Sequence, residues 1–376
     1  MVRAYLRLDE LRYMEKNVYE NWHMGNGRAE TVEKVRSESG FSSLPCKVLV
    51  QRLPGNEDLL KWIHPRLEDL LDPFDLPFCK EAAVLVADCL VRKKKIAVFS
   101  DYDVDGVSSA ALITEVLKRL GGRVEPFLPD RMEEGYGLTQ KALERLLDEQ
   151  DFECLLILDC GTRSEKELLF LAEKQIRSVV IDHHARADVP ALPEECILVN
   201  PHLSDRSEPR FQNHCTAGLV FKFLHALTRI LHRQGIDARR DFNLRSCLDL
   251  VALATVADLV PLKGENRLLV KYGLREIKKS ERHGLKALLQ VAGVEVEKPL
   301  TTSDIGFRLG PRINAGGRIE TGMTSLDLLL STDHRLAFDL ARKLDTVNRE
   351  RQGLEKRVVH EASERIGESP PSGIVV

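Results

Sequence analysis

Several features are missing from this sequence, and each absence removes a class of function. No stretch approaches the ~18 consecutive apolar residues of a membrane-spanning helix. The opening residues, MVRAYLRLDELRYMEKN, are charged throughout and lack the apolar core of a secretory signal. The eight cysteines form no Cys-x-x-Cys pair and no regular framework, so neither a zinc module nor a disulfide scaffold is expected. Cys89, Cys154 and Cys160 lie in apolar or strand-like context, as reduced core thiols do. Together these readings place the chain in the cytoplasm, away from any membrane. Neither sign of charge is in excess: the net charge is −3, so a nucleic-acid partner has to be met by a local basic groove. Aromatic residues make up only 6% and do not cluster along the sequence, so no platform for stacked bases is visible. No internal repeat is visible either.

What is present is an ordinary globular composition, 43% hydrophobic and 30% charged, over 376 residues, enough for two or more packed units. Residues 1–75 contain loop chemistry (SESGFSSLPCK, LPGNED) around one or two short helices. Regularity begins near residue 80. KEAAVLVADCLVRK reads as a helix, Ile96–Phe99 as a strand and Val107–Leu120 as a helix stopped by Gly121-Gly122. Further strands follow in RVEPFLPD, CLLILDCG, SVVIDHH and CILVNPH, with helices in TQKALERLLDEQ and SEKELLFLAEKQ. This alternation predicts an α/β fold with a doubly wound, mostly parallel sheet. From about residue 215 the chain turns helical, and Leu340, Leu344, Val347, Leu354 and Val358 mark a long helix near 335–365. At roughly 30 residues it spans about 45 Å, long enough to connect two domains. The expected organisation is an extension over 1–75, a main domain over 76–330, a connecting helix over 331–368, and at 369–376 (GIVV at its end) the first strand of a further domain.

The stretch IAVFSDYDVDGVSSAALI places Asp101, Asp103 and Asp105 before Gly106, the opening pattern of an EF-hand calcium loop. The rest of that loop is absent. Its twelfth position, which must be a bidentate Glu, is Leu112, and the entry is an apolar strand rather than a helix. The carboxylates therefore belong to a turn between a parallel strand and a helix. In open α/β sheets ligands bind beyond the carboxyl ends of the strands. At those ends stand Asp101, Asp103 and Asp105, then Asp159, then Asp182, His183 and His184; Asp258, closing the run LATVAD, invites inclusion. Taken singly, an Asp at a strand end is more often a cap or turn residue. Taken together, four or more carboxylates repel one another unless cations offset them, and carboxylates with imidazole suit Mn²⁺ or Mg²⁺. A pair of such ions could clamp both oxygens of a phosphoryl displacement.

DYDVDG, LDCG and DHH, in this order, resemble the first three motifs of the DHH phosphoesterase family. DPFDLPF, PDRMEEGYGLT, ATVADLVPLKGENRLLVKYGL, FRLGPRINAGGRIE and LDTVNRERQGLE are similar to blocks of its bacterial single-strand-specific 5′ exonucleases, and the likeness runs from about residue 68 to the end. The resemblance implies two divalent ions, Mn²⁺ or Mg²⁺, held by Asp103, Asp105, Asp159, His183 and Asp258, with Asp159 shared. It implies supporting or catalytic roles for Asp101, Asp182 and His184, and contacts to substrate phosphate or backbone from Arg131, Arg312, Asn314 and Arg318. Arginine suits phosphate because its fork binds two oxygens at once; the competing reading of Arg131 is an ion pair with Glu133 or Glu134. The implied activity is 5′-to-3′ hydrolysis of single-stranded DNA in repair and recombination, with single-strand-binding protein and a RecQ-type helicase as implied partners.

Two departures stand out. Many members have His-Gly where this chain has Phe99-Ser100, which puts one ligand of the second ion in doubt. The family's glycine-rich second catalytic domain, with its Gly-Gly-His signature, and its OB domain are not found in the sequence, so this reads as the first catalytic half. Two alternatives stay open: a phosphoesterase of short oligonucleotides, cyclic dinucleotides or pyrophosphate, and a non-catalytic binding fragment.

Overall fold

The apolar runs that end in acids become the five strands of one sheet. The computed structural model describes residues 29–52, 62–185, 192–203, 211–236, 243–295, 297–319 and 322–366; the strand expected within 369–376 lies outside them. Residues 1–70 and 71–376 form two compact units. In the first, helices α1 (Ala29–Ser39) and α2 (Ser43–Arg52) close on Val32, Val35 and Cys46.

The second unit starts with α3 (Cys79–Val91) and then alternates: β1 (Lys95–Ser100), α4 (Val104–Arg119), β2 (Arg123–Phe127), α5 (Gln140–Glu149), β3 (Cys154–Leu158), α6 (Glu165–Glu173), β4 (Arg177–Ile181) and β5 (Cys196–Val199). The strand order is β2-β1-β3-β4-β5, and every neighbouring pair is parallel. Because helices cover both faces, the strands read as continuous apolar runs; all five residues of β3 are buried. Alternation divides the faces. Ala97, Phe99, Leu155, Ile157 and Val180 pack with Ala142, Leu143 and Leu146 of α5 and Leu168 and Leu171 of α6. On the opposite face lie α4 and α7 (Thr216–Arg233), with α3 packed on α7. Pro126 sits in β2, an edge strand, where its missing N–H leaves no gap in the ladder. The strand ends at Phe127, so Leu128, Pro129 and Asp130 of the expected run lie beyond it.

The longer of the remaining helices are α8 (Leu248–Ala257), α9 (Gly264–Lys279), α10 (His283–Val291), α11 (Gly310–Ile319), α12 (Met323–Leu330) and α13 (His334–Ile366). The expected long helix is α13, 33 residues in length. Its first half buries Ala337, Ala341, Leu344 and Val347, whereas Leu354 and Val358 of the same apolar series are exposed.

The expected boundary of α4 moves. The helix begins at Val104, not Val107, because the Asp103 carboxylate accepts the Gly106 N–H at 3.0 Å and caps it. Asp105 is thus on the first turn of a helix rather than in a turn before it.

Candidate metal centre

Each acid is delivered by the end of an element. Asp101 follows β1, Asp103 caps α4 and Asp105 sits on its first turn. Gly106 makes that turn possible, since a Cβ there would stand 2.2 Å from the Asp101 carbonyl oxygen. Asp159 follows β3, with φ of 61°, in the left-handed region that is uncommon for a non-glycine residue. Asp182, His183 and His184 follow β4, and Asp258 caps the C-terminus of α8. β1 and β3 are neighbours joined by a crossover, the point where the winding of the sheet reverses and ligands bind.

These ends converge. His183 Nε2 lies 3.5 Å from Asp159 Oδ1, 3.7 Å from Asp258 Oδ2 and 3.9 Å from Asp105 Oδ2. Three groups of donor atoms lie within 4.8 Å of one another: Asp159, His183 and His184; Asp105, His183 and Asp258; and Asp101, Asp103 and Asp159. Asp159 and His183 each belong to two groups. Seven of the eight acids and histidines singled out in the sequence are thus brought together, and Asp182 joins them through His184.

Their electrostatics fall into two kinds. Burial and the neighbouring Asp103 push Asp101 up to about 7. Burial and Asp105 push Asp258 up to about 7, and burial and Asp103 push Asp105 up to about 6. Burial, with Asp105 and Asp103, raises Asp159 well above the ordinary range. Asp182 is the contrast. Burial pushes it up, but hydrogen bonds from His184 and Thr162 and the His184 charge prevail and hold it at about 2. Its Oδ1 lies 2.7 Å from His184 Nδ1, and this bond raises the His184 pKa. Burial lowers the His183 pKa against the pull of Asp258, which favours the neutral imidazole that ligates metals. Both Asp101 oxygens and Asp258 Oδ2 are buried without an aligned donor among the described residues. A cluster of carboxylates short of donors, around a neutral imidazole, fits hard divalent cations.

The next layer was not read from the sequence. Asp105 accepts from the backbone N–H groups of Thr216 (2.6 Å) and Ala217 (2.8 Å), at the start of α7, and the Thr216 hydroxyl donates to Asp159 Oδ1 at 2.8 Å. Asn200 donates to the Thr162 hydroxyl and to the His184 carbonyl, both at 3.0 Å. Asn200 ends β5, so the rule that found the other strand-end residues applies to it equally. Thr216 left no comparable signal, since its contact with Asp159 spans 57 residues of sequence.

The expected phosphate binders fare differently. Arg131, exposed on the short turn Arg131–Glu134, sits over the Tyr102 ring at 5.3 Å. The competing ion pair with Glu133 or Glu134 is not formed among the described residues: Glu134 is bound by Arg145 at 2.6 Å and Glu133 faces Lys141 at 3.8 Å. Tyr102 and Tyr136 meet edge to face at 6.0 Å, an aromatic pair that sequence separation concealed. Arg312 is held by Asp345 of α13, at 2.8–2.9 Å. Asn314 Oδ1 accepts the Val104 N–H at 3.0 Å, which ties α11 to the first turn of α4. Arg318 lies on α11. At the departure noted in the sequence, Phe99 is fully buried and the Ser100 hydroxyl donates to the Gly106 carbonyl at 2.8 Å, so this position faces the core.

Residues 95–255 match the model of the DHH family, N-terminal domain. The chain is 32% identical over 346 residues to the single-stranded-DNA-specific exonuclease RecJ of Bacillus subtilis, covering 92% of this chain and 42% of that one. It matches a crystal structure of exonuclease RecJ bound to manganese with a TM-score of 0.68 and 34% identity, over 78% of this chain and 71% of that one. RecJ from Thermus thermophilus in complex with Mn²⁺ matches with a TM-score of 0.72 and 30% identity, over 88% and 46%. The chain spans 42%, 52% and 59% of the length of three curated relatives.

Proposed function

The chain belongs to the RecJ branch of the DHH family, and on that premise we propose that it carries the metal-dependent catalytic half of a 5′-to-3′ exonuclease acting on single-stranded DNA. The observation that carries the reading is Asp159: a buried carboxylate on a left-handed residue at the switch point of the sheet, shared by two of the three donor groups. We assign Asp103, Asp105, Asp159, His183 and Asp258 as ligands of two divalent cations, Mn²⁺ or Mg²⁺, with Asp159 between them. Ions held there would offset the carboxylate charge and supply Lewis-acid activation of water and of the scissile phosphodiester.

The chain's own residues do the rest. Thr216 and Ala217 fix the Asp105 and Asp159 carboxylates. The hydrogen bond to Asp182 raises the His184 pKa and so favours its charged form, which would meet negative charge on the scissile phosphate. Asp101 adds an acceptor for the nucleophilic water. Arg131 and Arg318 are assigned to the phosphates of the strand, with the exposed Tyr136 ring, which like Arg131 meets the Tyr102 ring, as a surface for a base. We assign Arg312 instead to holding α11 against α13, because Asp345 occupies its fork. Residues 76–330 are read as the DHH domain and 331–368 as a connecting helix. We place the protein in DNA repair and recombination in the cytoplasm, alongside single-strand-binding protein and a RecQ-type helicase; among the described residues no helix is long and apolar enough to cross a membrane. Calorimetric titration with MnCl₂ tests the ligand assignment. The chain should bind two ions and Asp159→Ala should lose tight binding; an Asp159→Ala protein that still takes up two ions would refute the shared ligand.

A further inference from the structure

The block ATVADLVPLKGENRLL contributes Asp258 to the site, yet its Glu265 and Asn266 have no part in it. Both are polar and buried, 7% and 1% exposed. They stand on the first turn of α9, just after the loop that follows Asp258.

Glu265 Oε1 accepts from Lys222 Nζ and from the Leu71 N–H, each at 2.6 Å. Lys222 is itself fully buried on α7, gives a second N–H to the Leu71 carbonyl at 2.7 Å and lies 5.5 Å from the Phe211 ring centre. The other oxygen, Glu265 Oε2, is 3.0 Å from His214 Nε2, an ion-pair distance without the alignment of a hydrogen bond. The His214 ring lies against the first turn of α7, where a Cβ on Gly218 would stand 3.1 Å from its Cδ2. Asn266 Nδ2 donates to the Asn213 carbonyl at 2.5 Å and to the Pro261 carbonyl at 3.1 Å.

Two adjacent side chains thus grip two loops. One is the Asp258 loop, caught at Pro261. The other is Asn213–His214, caught just before Thr216, the residue that donates to both Asp105 and Asp159. A shift of roughly half an ångström is enough to spoil a ligand constellation, and a shift of the second loop would move two ligands relative to Asp258.

We propose that Glu265 and Asn266 are positioning residues of the metal centre, a clamp that sets the spacing between Asp258 and the pair Asp105 and Asp159, with Lys222 as the counter-ion that lets the clamp be buried. The proposal rests on the metal-centre reading above. A merely structural ion pair would touch stability alone, whereas the clamp acts on metal affinity.

The test is calorimetric titration of the full chain with MnCl₂, with far-UV circular dichroism and thermal denaturation of the metal-free proteins. Asn266→Ala and Glu265→Gln should stay folded and bind Mn²⁺ about 10–100-fold more weakly, the range for groups that orient metal ligands. The double variant Glu265→Gln/Lys222→Met leaves no unpaired ammonium buried, so its thermal midpoint should recover above that of Glu265→Gln. Its Mn²⁺ affinity should stay low, because His214 still lacks the carboxylate. Folded single variants with parental affinity, or a double variant that regains affinity together with stability, would overturn the clamp. If Glu265→Gln does not fold, Asn266→Ala decides alone on the same criterion. A parent chain that binds no Mn²⁺ would overturn the metal-centre reading and the clamp with it; parental binding with unaffected variants would overturn the clamp only.

Discussion

Asp159 and Asp182 end neighbouring parallel strands, and both are buried, but their surroundings separate them. Asp182 accepts from the Thr162 N–H and the His184 N–H, both at 3.1 Å, and pairs with the His184 ring; it is held at about 2. Asp159 faces Asp105 and Asp103 and is raised well above the ordinary range. The same division sets the pH dependence of the metal-free protein. Asp101 and Asp258 titrate near 7 and Asp105 near 6 in the folded chain, against about 4 for an unfolded aspartate. Between about pH 4 and pH 7 the folded chain therefore holds protons that the unfolded chain has released, and stability falls as pH rises. Asp182 has the opposite sign: its contribution is complete above about pH 4 and is lost as pH falls toward 2. Asp249, remote from the site, also titrates near 7 and adds a slope that metal cannot remove. Thermal midpoints measured from about pH 5 to pH 8 should fall without metal and fall less with saturating Mn²⁺. Equal slopes in the two series would contradict the assignment of Asp101, Asp105 and Asp258 to the metal centre.

At the scale of elements, the site is a meeting of helix starts with strand ends. α4 and α7 point their first turns at the carboxylates, and α11 braces α4 through Asn314. If Asn314 supports the loop, Asn314→Ala leaves the Val104 N–H without its acceptor. That should cost about 1–3 kcal/mol of stability and weaken Mn²⁺ binding as well, read by thermal denaturation and calorimetry. Unchanged stability with weakened nucleotide binding would instead return Asn314 to the substrate. The sequence made the strand ends legible because each acid stands at the end of an apolar run: Val98-Phe99, then Ser100, before Asp101; Ile157-Leu158 before Asp159; Val180-Ile181 before Asp182. It also made the parallel sheet and α13 legible, through the alternation of runs and the series Leu340 to Val358. Helix starts were less legible. Asp103 caps α4 four residues before the expected start at Val107, and Thr216 acts through a partner 57 residues away, so neither role leaves a local pattern. Arg312 shows what sequence separation hides: its motif suggests phosphate, and the structure adds Asp345 as its neighbour across the helix pair.

For the whole molecule, the near balance of charge leaves no strong net field to draw in DNA, so the proposed function calls for a local set of cations. Arg131 and Arg318 are the residues we propose for this, and cations bound among the buried acids would add to their attraction. α13, roughly 50 Å long at 1.5 Å per residue, carries its exposed Leu354, Val358 and Val359 beyond its packed first half. We propose that this chain hydrolyses single-stranded DNA from a 5′ end by a metal centre built around Asp159. The direct measurement is release of mononucleotides from 5′-phosphorylated single-stranded DNA by the full chain, in Mn²⁺ and in EDTA, with Asp159→Ala as the blank. The account predicts release in Mn²⁺ that is absent in EDTA and reduced by at least about a hundredfold in Asp159→Ala, the scale of losing an essential electrostatic group. Release that persists in EDTA, or that Asp159→Ala retains in full, would contradict it.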